Sequence, residues 1–261
     1  MNIERIVSKL ENNIALQEGS EERFNGYGVM GLTFASGHVL ALRRFMASSI
    51  GPGYRSVWHR NPEGQWTFYS DIKPSRSCAR YFGQQVHETV NEKIEISWTR
   101  DNRFKVEIQN IGFEWEVTLR STPAGNLMNA MAGVMPNSLW KNESILKSVG
   151  KIAGKILGAG NVSLSGHAPN GQYFIANPYK IWLISESIAS FGKLNFGKPG
   201  PLGEQAHLGD FWIPQKGIFA LGRAYFEAFD ERKHSARYSS VTDDSNSQIY
   251  FQRVNVQHSR I

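Results

Sequence analysis

Apolar residues recur along this chain with two periods, and the change from one to the other divides it. Ile3, Ile6, Val7, Leu10 and Ile14 fall at helical spacing and predict an amphipathic helix that stops near Gly19 and packs across a sheet or barrel end. Residues 28–45 read as strand, broken at Ala35-Ser36-Gly37. After the stiff link Gly51-Pro52-Gly53, residues 54–71 form a hairpin turned at Asn61-Pro62-Glu63-Gly64, where Pro62 presets its own φ and Gly64 tolerates positive φ. A short helix is expected over 76–83. Three alternating segments follow: Ile94, Ile96 and Trp98; Phe104, Val106 and Ile108; Phe113, Trp115, Val117 and Leu119. Lys93, Glu95, Lys105, Glu107, Glu114 and Glu116 take the other side, which describes an antiparallel meander with one wet face.

Residues 123–158 change period. Asn126 to Met135 is rich in Met and Ala. From Ser138 to Leu157 the apolar residues Ile145, Val149, Ile152 and Ile156 return to helical spacing, so two helices are expected with a break at Pro136. Strand patterns resume at 162–167, 172–176 and 180–187, with a turn at Ala168-Pro169-Asn170-Gly171, and again at 217–229. The expected fold is mainly β: antiparallel, barrel-like halves at 1–122 and 161–230, an N-terminal helix, a helical insert at 123–160, and a polar tail or edge strand at 231–261.

The counts fit such a fold, since 12% aromatic residues and 25 glycines favour β-structure with tight turns. Cys78 is the only cysteine, which removes intramolecular disulfides and thiolate metal clusters and fits a reducing compartment. The first residues are charged throughout, and no stretch reaches the roughly 18 apolar residues of a membrane span. A cytoplasmic protein is expected. The net charge is +6, but its positive residues are dispersed among acidic ones, which speaks against nucleic acid as a partner. Lys147, Lys151 and Lys155 recur every fourth residue beside the apolar stripe of the second helix. That face suits a contact with an anionic membrane or a lid over an apolar cavity, and equally an ordinary solvated helix face.

The hairpin carries the most specific signal. Counting from its turn makes Arg60 and Gln65 the first pair and places Val57 opposite Phe68 and His59 opposite Trp66, on a core face. Tyr54, Ser56, Trp58, Thr67, Tyr69 and Asp71 then share the other face, a mixture of aromatic surface, hydroxyls and one carboxylate that suits a small-molecule pocket. A carboxylate on an aromatic face is poorly solvated and so able to donate or accept a proton near neutrality; the plain alternative is that Asp71 caps a turn. His207 and Asp210, in the aromatic segment 206–214 with Trp212, form a second acid/base candidate or simply a polar loop. The seven histidines show no short-range metal-ligand spacing, and no phosphate-binding loop, dinucleotide fingerprint or nucleophile elbow is present. No metal and no cofactor are expected.

The aromatic hairpin at 53–60 and 66–71, the stretch Gly209-Asp210-Phe211-Trp212-Ile213-Pro214 and the two β-rich halves together resemble the lipocalin-like bacterial proteins of the hydroxyneurosporene synthase, or carotenoid hydratase, type. The resemblance covers about half the chain. It implies calycin-like barrels around an isoprenoid or polyketide and acid-initiated addition of water or cyclisation without a metal. The chain is short for two full barrels, and the helical insert departs from that pattern. The chain also resembles the acetoacetate decarboxylase-like β-fold, which would require a desolvated Schiff-base lysine; no lysine here has the apolar strand setting such a residue needs. The leading expectation is a cofactor-free lyase or isomerase acting on an apolar small molecule, with Asp71 as proton donor. A non-catalytic lipid or pigment carrier and a membrane-surface protein are the alternatives.

Overall fold

The computed structural model describes residues 2–12, 15–136 and 139–235. Ile14, Ser138 and residues 236–261 of the expected tail lie outside these residues. The chain runs α1 (Ile3–Asn12), β1 (Glu22–Thr33), β2 (Val39–Ser48), β3 (Tyr54–Arg60), β4 (Trp66–Ser70), α2 (Ala79–Phe82), β5 (Glu88–Asn91), β6 (Glu95–Arg100), β7 (Arg103–Ile108) and β8 (Phe113–Arg120). Then come α3 (Pro123–Val134), α4 (Glu143–Leu157), β9 (Ser165–His167), β10 (Tyr173–Phe191), β11 (Leu194–Asn195), β12 (His207–Leu208), β13 (Phe211–Trp212) and β14 (Ile218–Phe226).

The fold is mainly β and antiparallel with a helical insert, as the patterning predicts, but its strands do not divide into two halves. One sheet runs β5-β4-β3-β2-β1-β14-β10-β8-β7-β6. The late strands β14 and β10 enter between β1 and β8, so residues 161–230 complete the sheet begun by the first 122. The two segments expected at 172–176 and 180–187 are one 19-residue strand, β10, which passes Pro178 by a register shift against β14. A proline has no N–H for the ladder, so a bulge accommodates it. The four-residue strand β5, too short to show a period, pairs parallel with β4.

The sheet curls. Trp98 on β6 and Phe219 on β14 are four strands apart along the path, about 19 Å if the sheet were flat. Their ring centroids are 6.3 Å apart, and those of Phe104 and Phe219 are 5.5 Å apart. The inner face of this half-barrel is therefore filled, by Tyr27, Leu42, Val57, Trp115, Trp182 and their neighbours, and α1 seals it with Ile3 and Val7. Gly26 and Gly28 allow β1 and β2 to approach at the bend: a Cβ on Gly28 would lie 1.9 Å from the Leu42 carbonyl oxygen.

The outer face of β1–β4, β10 and β14 is also apolar and is covered by α2, α3, α4 and the 206–214 segment. Glu22 anchors α2 by accepting Arg80 Nη2 at 2.7 Å and Tyr81 Oη at 2.6 Å. Thr122 caps α3 by accepting the Gly125 N–H, with Pro123 in the first turn, and Asn142 caps α4 through the Ile145 N–H. Asn129 clips α3 to the sheet: its Nδ2 donates to Ile181 O at 3.0 Å, and its Oδ1 accepts the Ile181 N–H at 2.7 Å. Gly150 and Gly154 let α4 lie on the returning chain, where a Cβ would stand 2.3 Å from Val162 O and 2.1 Å from Gly160 O.

Those two glycines lower helix propensity, so alanine would be expected to stabilise an isolated α4 by up to about 1 kcal/mol each. In the folded chain the backbone contacts reverse the sign. Gly150→Ala and Gly154→Ala are each expected to lower stability by about 1–3 kcal/mol in urea unfolding, and a rise in stability would disprove the close packing.

Candidate functional site

The hairpin forms where the sequence places it, but its register is displaced by one residue. Asn61 N–H donates to Gln65 O at 3.0 Å, Gln65 N–H to Asn61 Oδ1 at 2.7 Å and Gly64 N–H to Asn61 O at 3.0 Å, with Gly64 at φ +90°. The loop is thus Pro62-Glu63-Gly64, a tight turn followed by a left-handed glycine. Arg60 pairs with Trp66, His59 with Thr67, Trp58 with Phe68 and Val57 with Tyr69. One residue of displacement sends every side chain of β4 to the opposite face. Trp66 and Phe68 therefore join Tyr54 and Trp58 on the outer face, while Thr67 and Tyr69 turn to the inner face with Val57 and His59.

Asp71 is also displaced from the aromatic face. Its Oδ1 accepts the Arg55 N–H at 2.7 Å and its Oδ2 the Arg55 Nη1 at 3.0 Å, beyond the end of β4. The expected proton donor is an ion-paired strand end outside the cavity. His207 and Asp210 do not meet either. The exposed His207 ring lies beside Trp212, with centroids 4.6 Å apart, whereas Asp210 Oδ2 accepts the His167 N–H at 2.8 Å. Ser56 is buried on the outer face without lining a cavity.

The cavity lies under the helical insert, on the outer face of the sheet, and encloses about 210 Å³. Tyr54, Trp58, Phe24 and Phe226 form its floor, Met128 and Met131 of α3, Met135 just beyond it, and Val149, Ala153 and Leu157 of α4 its roof, and Phe211 and Trp212 one end. Of the residues expected to bind a ligand, Tyr54, Trp58 and Trp212 line it; Ser56, Thr67 and Tyr69 do not. Lys147, Lys151 and Lys155 lie on the exposed side of α4, where Lys147 pairs with Glu143 at 2.6 Å, so the buried side of this basic helix serves as cavity roof. A recess bordered by Glu18, Glu21, Lys141, Tyr173 and Glu227 adjoins the cavity, sharing Trp140, Ile175, Asn177 and Phe226 with it.

Polar chemistry gathers at the floor. Tyr54 Oη lies 3.2 Å from Cys78 Sγ, and burial pushes both the phenol and the thiol up, keeping them protonated. Arg43, which sequence reasoning passed over, stacks on Trp58 with its guanidinium carbon 4.5 Å from the ring centroid. Among the described residues, no Asp, Glu, His or Lys lines the cavity. Lys180, on β10, stands over Trp182 at 5.7 Å on the opposite face. No group of three His, Cys, Asp or Glu side chains among the described residues is placed to hold a metal ion, and no helix among them is long and apolar enough to cross a membrane.

The fold and site define a half-barrel of antiparallel strands with an apolar chamber roofed by two helices. No protein-family model and no curated protein matches this sequence. Among solved structures, an acetoacetate decarboxylase from Legionella pneumophila subsp. pneumophila str. Philadelphia 1 is similar at 8% identity and a TM-score of 0.34, covering 83% of this chain and 88% of that one. So low a score carries neither fold nor chemistry across.

The inner face holds a second polar pair. His38 Nδ1 and His59 Nε2 are 3.0 Å apart, and the Phe196 ring stacks on both imidazoles. Burial pushes His59 down to about 3, with the His38 charge acting in the same direction, and burial lowers His38 also. Both rings are neutral at pH 7, and unfolding frees them to take up protons. Stability present above about 6.5, the unfolded value, is therefore lost as pH falls towards 3. From pH 6.5 to 5 the loss from His59 is expected to steepen from about 0.7 to about 1.3 kcal/mol per pH unit as the unfolded imidazole fills with protons, measured by urea unfolding; His59→Gln should flatten the curve there, and an unchanged slope would contradict the assignment. Asp71→Asn is expected to cost about 1 kcal/mol or less and to leave binding of an apolar fluorescent probe unchanged, whereas lost binding would return Asp71 to the cavity.

Proposed function

We propose that this chain binds an apolar small molecule between the outer face of its sheet and helices α3 and α4. The observation that carries this reading is the cavity wall, made almost wholly of aromatic rings, aliphatic chains and three methionines on the roof. Water in such a space finds few hydrogen-bond partners, so hydrocarbon displaces it favourably. Methionine adapts to ligands of varied outline. An acid-initiated step through Asp71 has lost its geometric basis, and retention or transport of the ligand is the simpler use of the chamber.

A lyase or isomerase step in the same chamber is the second reading, favoured by the phenol, thiol and guanidinium of Tyr54, Cys78 and Arg43 at one place on the floor. Tyr54 would be its proton donor, since burial keeps the phenol protonated.

Native mass spectrometry of the freshly purified full chain tests both. A retained apolar ligand that is released unchanged on denaturation after prolonged incubation is the result expected of a carrier. Conversion of the retained molecule by the native chain, lost in Tyr54→Phe, would establish the lyase reading instead. A chain that carries no ligand and does not bind apolar probes would defeat both.

A further inference from the structure

Arg43 projects from β2 into the chamber at the point where β1 has one more residue than its neighbour. Between the pairs Tyr27–Arg44 and Leu32–Leu40 there are four residues on β1 and three on β2. The bulge breaks the ladder there, and the Arg43 side chain takes the carbonyls. Its Nη1 donates to Val29 O at 2.6 Å and Leu42 O at 2.9 Å, and its Nη2 reaches Met30 O at 3.4 Å. The guanidinium carbon lies 4.5 Å from the Trp58 ring centroid and 5.4 Å from that of Phe211.

This group is buried, and among the described residues no carboxylate pairs with it. Burial lowers it only to about 10, so it carries its charge at neutral pH. Carbonyl dipoles and ring faces stabilise such a charge in part, but a buried guanidinium is ordinarily completed by an anion, which it holds through its remaining N–H groups. The strand pattern supplies none: Tyr54 and Cys78, its nearest titratable neighbours, are neutral.

We infer that the ligand of this chamber carries a carboxylate that pairs with Arg43, its hydrocarbon body lying between the floor and the methionines of α3. This rests on the cavity reading above and adds the ligand's charge to it. One guanidinium balances one negative charge. A phosphate monoester would bring a second, and although Arg223 also borders the chamber, its guanidinium follows Phe219 and Leu221 to the inner face and stands over Tyr179. The Tyr54 hydroxyl, near the same place, is available to donate to the second carboxylate oxygen by turning from the Cys78 sulfur.

The experiment compares dodecanoate with dodecanol on the full chain at pH 7.5, both below their aggregation limits, by titrating tryptophan fluorescence; Trp58, Trp140 and Trp212 border the chamber. Dodecanoate is expected to bind about tenfold or more tightly than the alcohol, and Arg43→Met to abolish that preference while the alcohol still binds. Should the methionine variant fail to fold, Arg43→Lys, which keeps the charge but loses the planar fork, is expected to reduce the preference by about fivefold or more. Equal affinities in the unmodified chain would overturn the carboxylate assignment and leave the cavity reading intact, as would an acid preference that persists in Arg43→Met or is undiminished in Arg43→Lys. Failure of both molecules to bind would overturn both readings together.

Discussion

A strand whose neighbouring residues are apolar on both sides has to be covered twice, and this molecule is arranged around that requirement. Alternation along β1–β4, β10 and β14 puts Tyr27, Leu42, Val57 and Phe219 on one face and Phe24, Tyr54, Trp58 and Ile218 on the other. Curling the sheet satisfies the first face, because strands four apart then bring their rings together. It cannot satisfy the second, which faces outward. The helical insert, α2 and the 206–214 segment exist in the fold as the second cover, and the chamber is the space that this cover leaves over the sheet. The meander β6–β8 shows the contrast: its outer face carries Glu and Lys and has no cover.

The same arrangement separates two kinds of polar group. Those that complete the scaffold find partners within the chain: Glu22 with Arg80 and Tyr81, Asp71 with Arg55, His38 with His59. Among the described residues, Arg43 is held by main-chain carbonyls and ring faces alone. A register irregularity in the ladder thus places a cation against a carbon wall, where a fully paired strand would have turned the carbonyls to its neighbour.

Much of this was legible in residue spacing. The meander, the two helices of the insert and the hairpin follow from periodicity, because each has enough turns or alternations to show one. The hairpin register was not, since a one-residue choice at Asn61–Gln65 depends on whether the Asn61 side chain ties the loop. The composition held a clue: only the observed pairing unites Trp58, Trp66 and Phe68 on one face. Arg43 and Arg44 stand side by side within the expected strand, yet alternation sends Arg44 towards Glu11 and Arg43 under the roof. The roof could also have been found, because Met128 and Met131 share one side of α3 and Met135 follows at the same spacing in the sequence. Sheet order was beyond reach: nothing local tells β14 to lie between β1 and β10.

The clip made by Asn129 has a further meaning. At Ile181, β10 has β14 on one side but has not yet met β8, whose pairing begins at Leu183. The asparagine amide occupies that vacant rung, offering one donor and one acceptor as a peptide of a neighbouring strand would. The roof is consequently indexed to the ladder rather than merely resting on it. Shifting this asparagine by one helical turn would re-seat α3 about 5.4 Å along its axis, so the position of a single amide sets where the roof stands over the sheet.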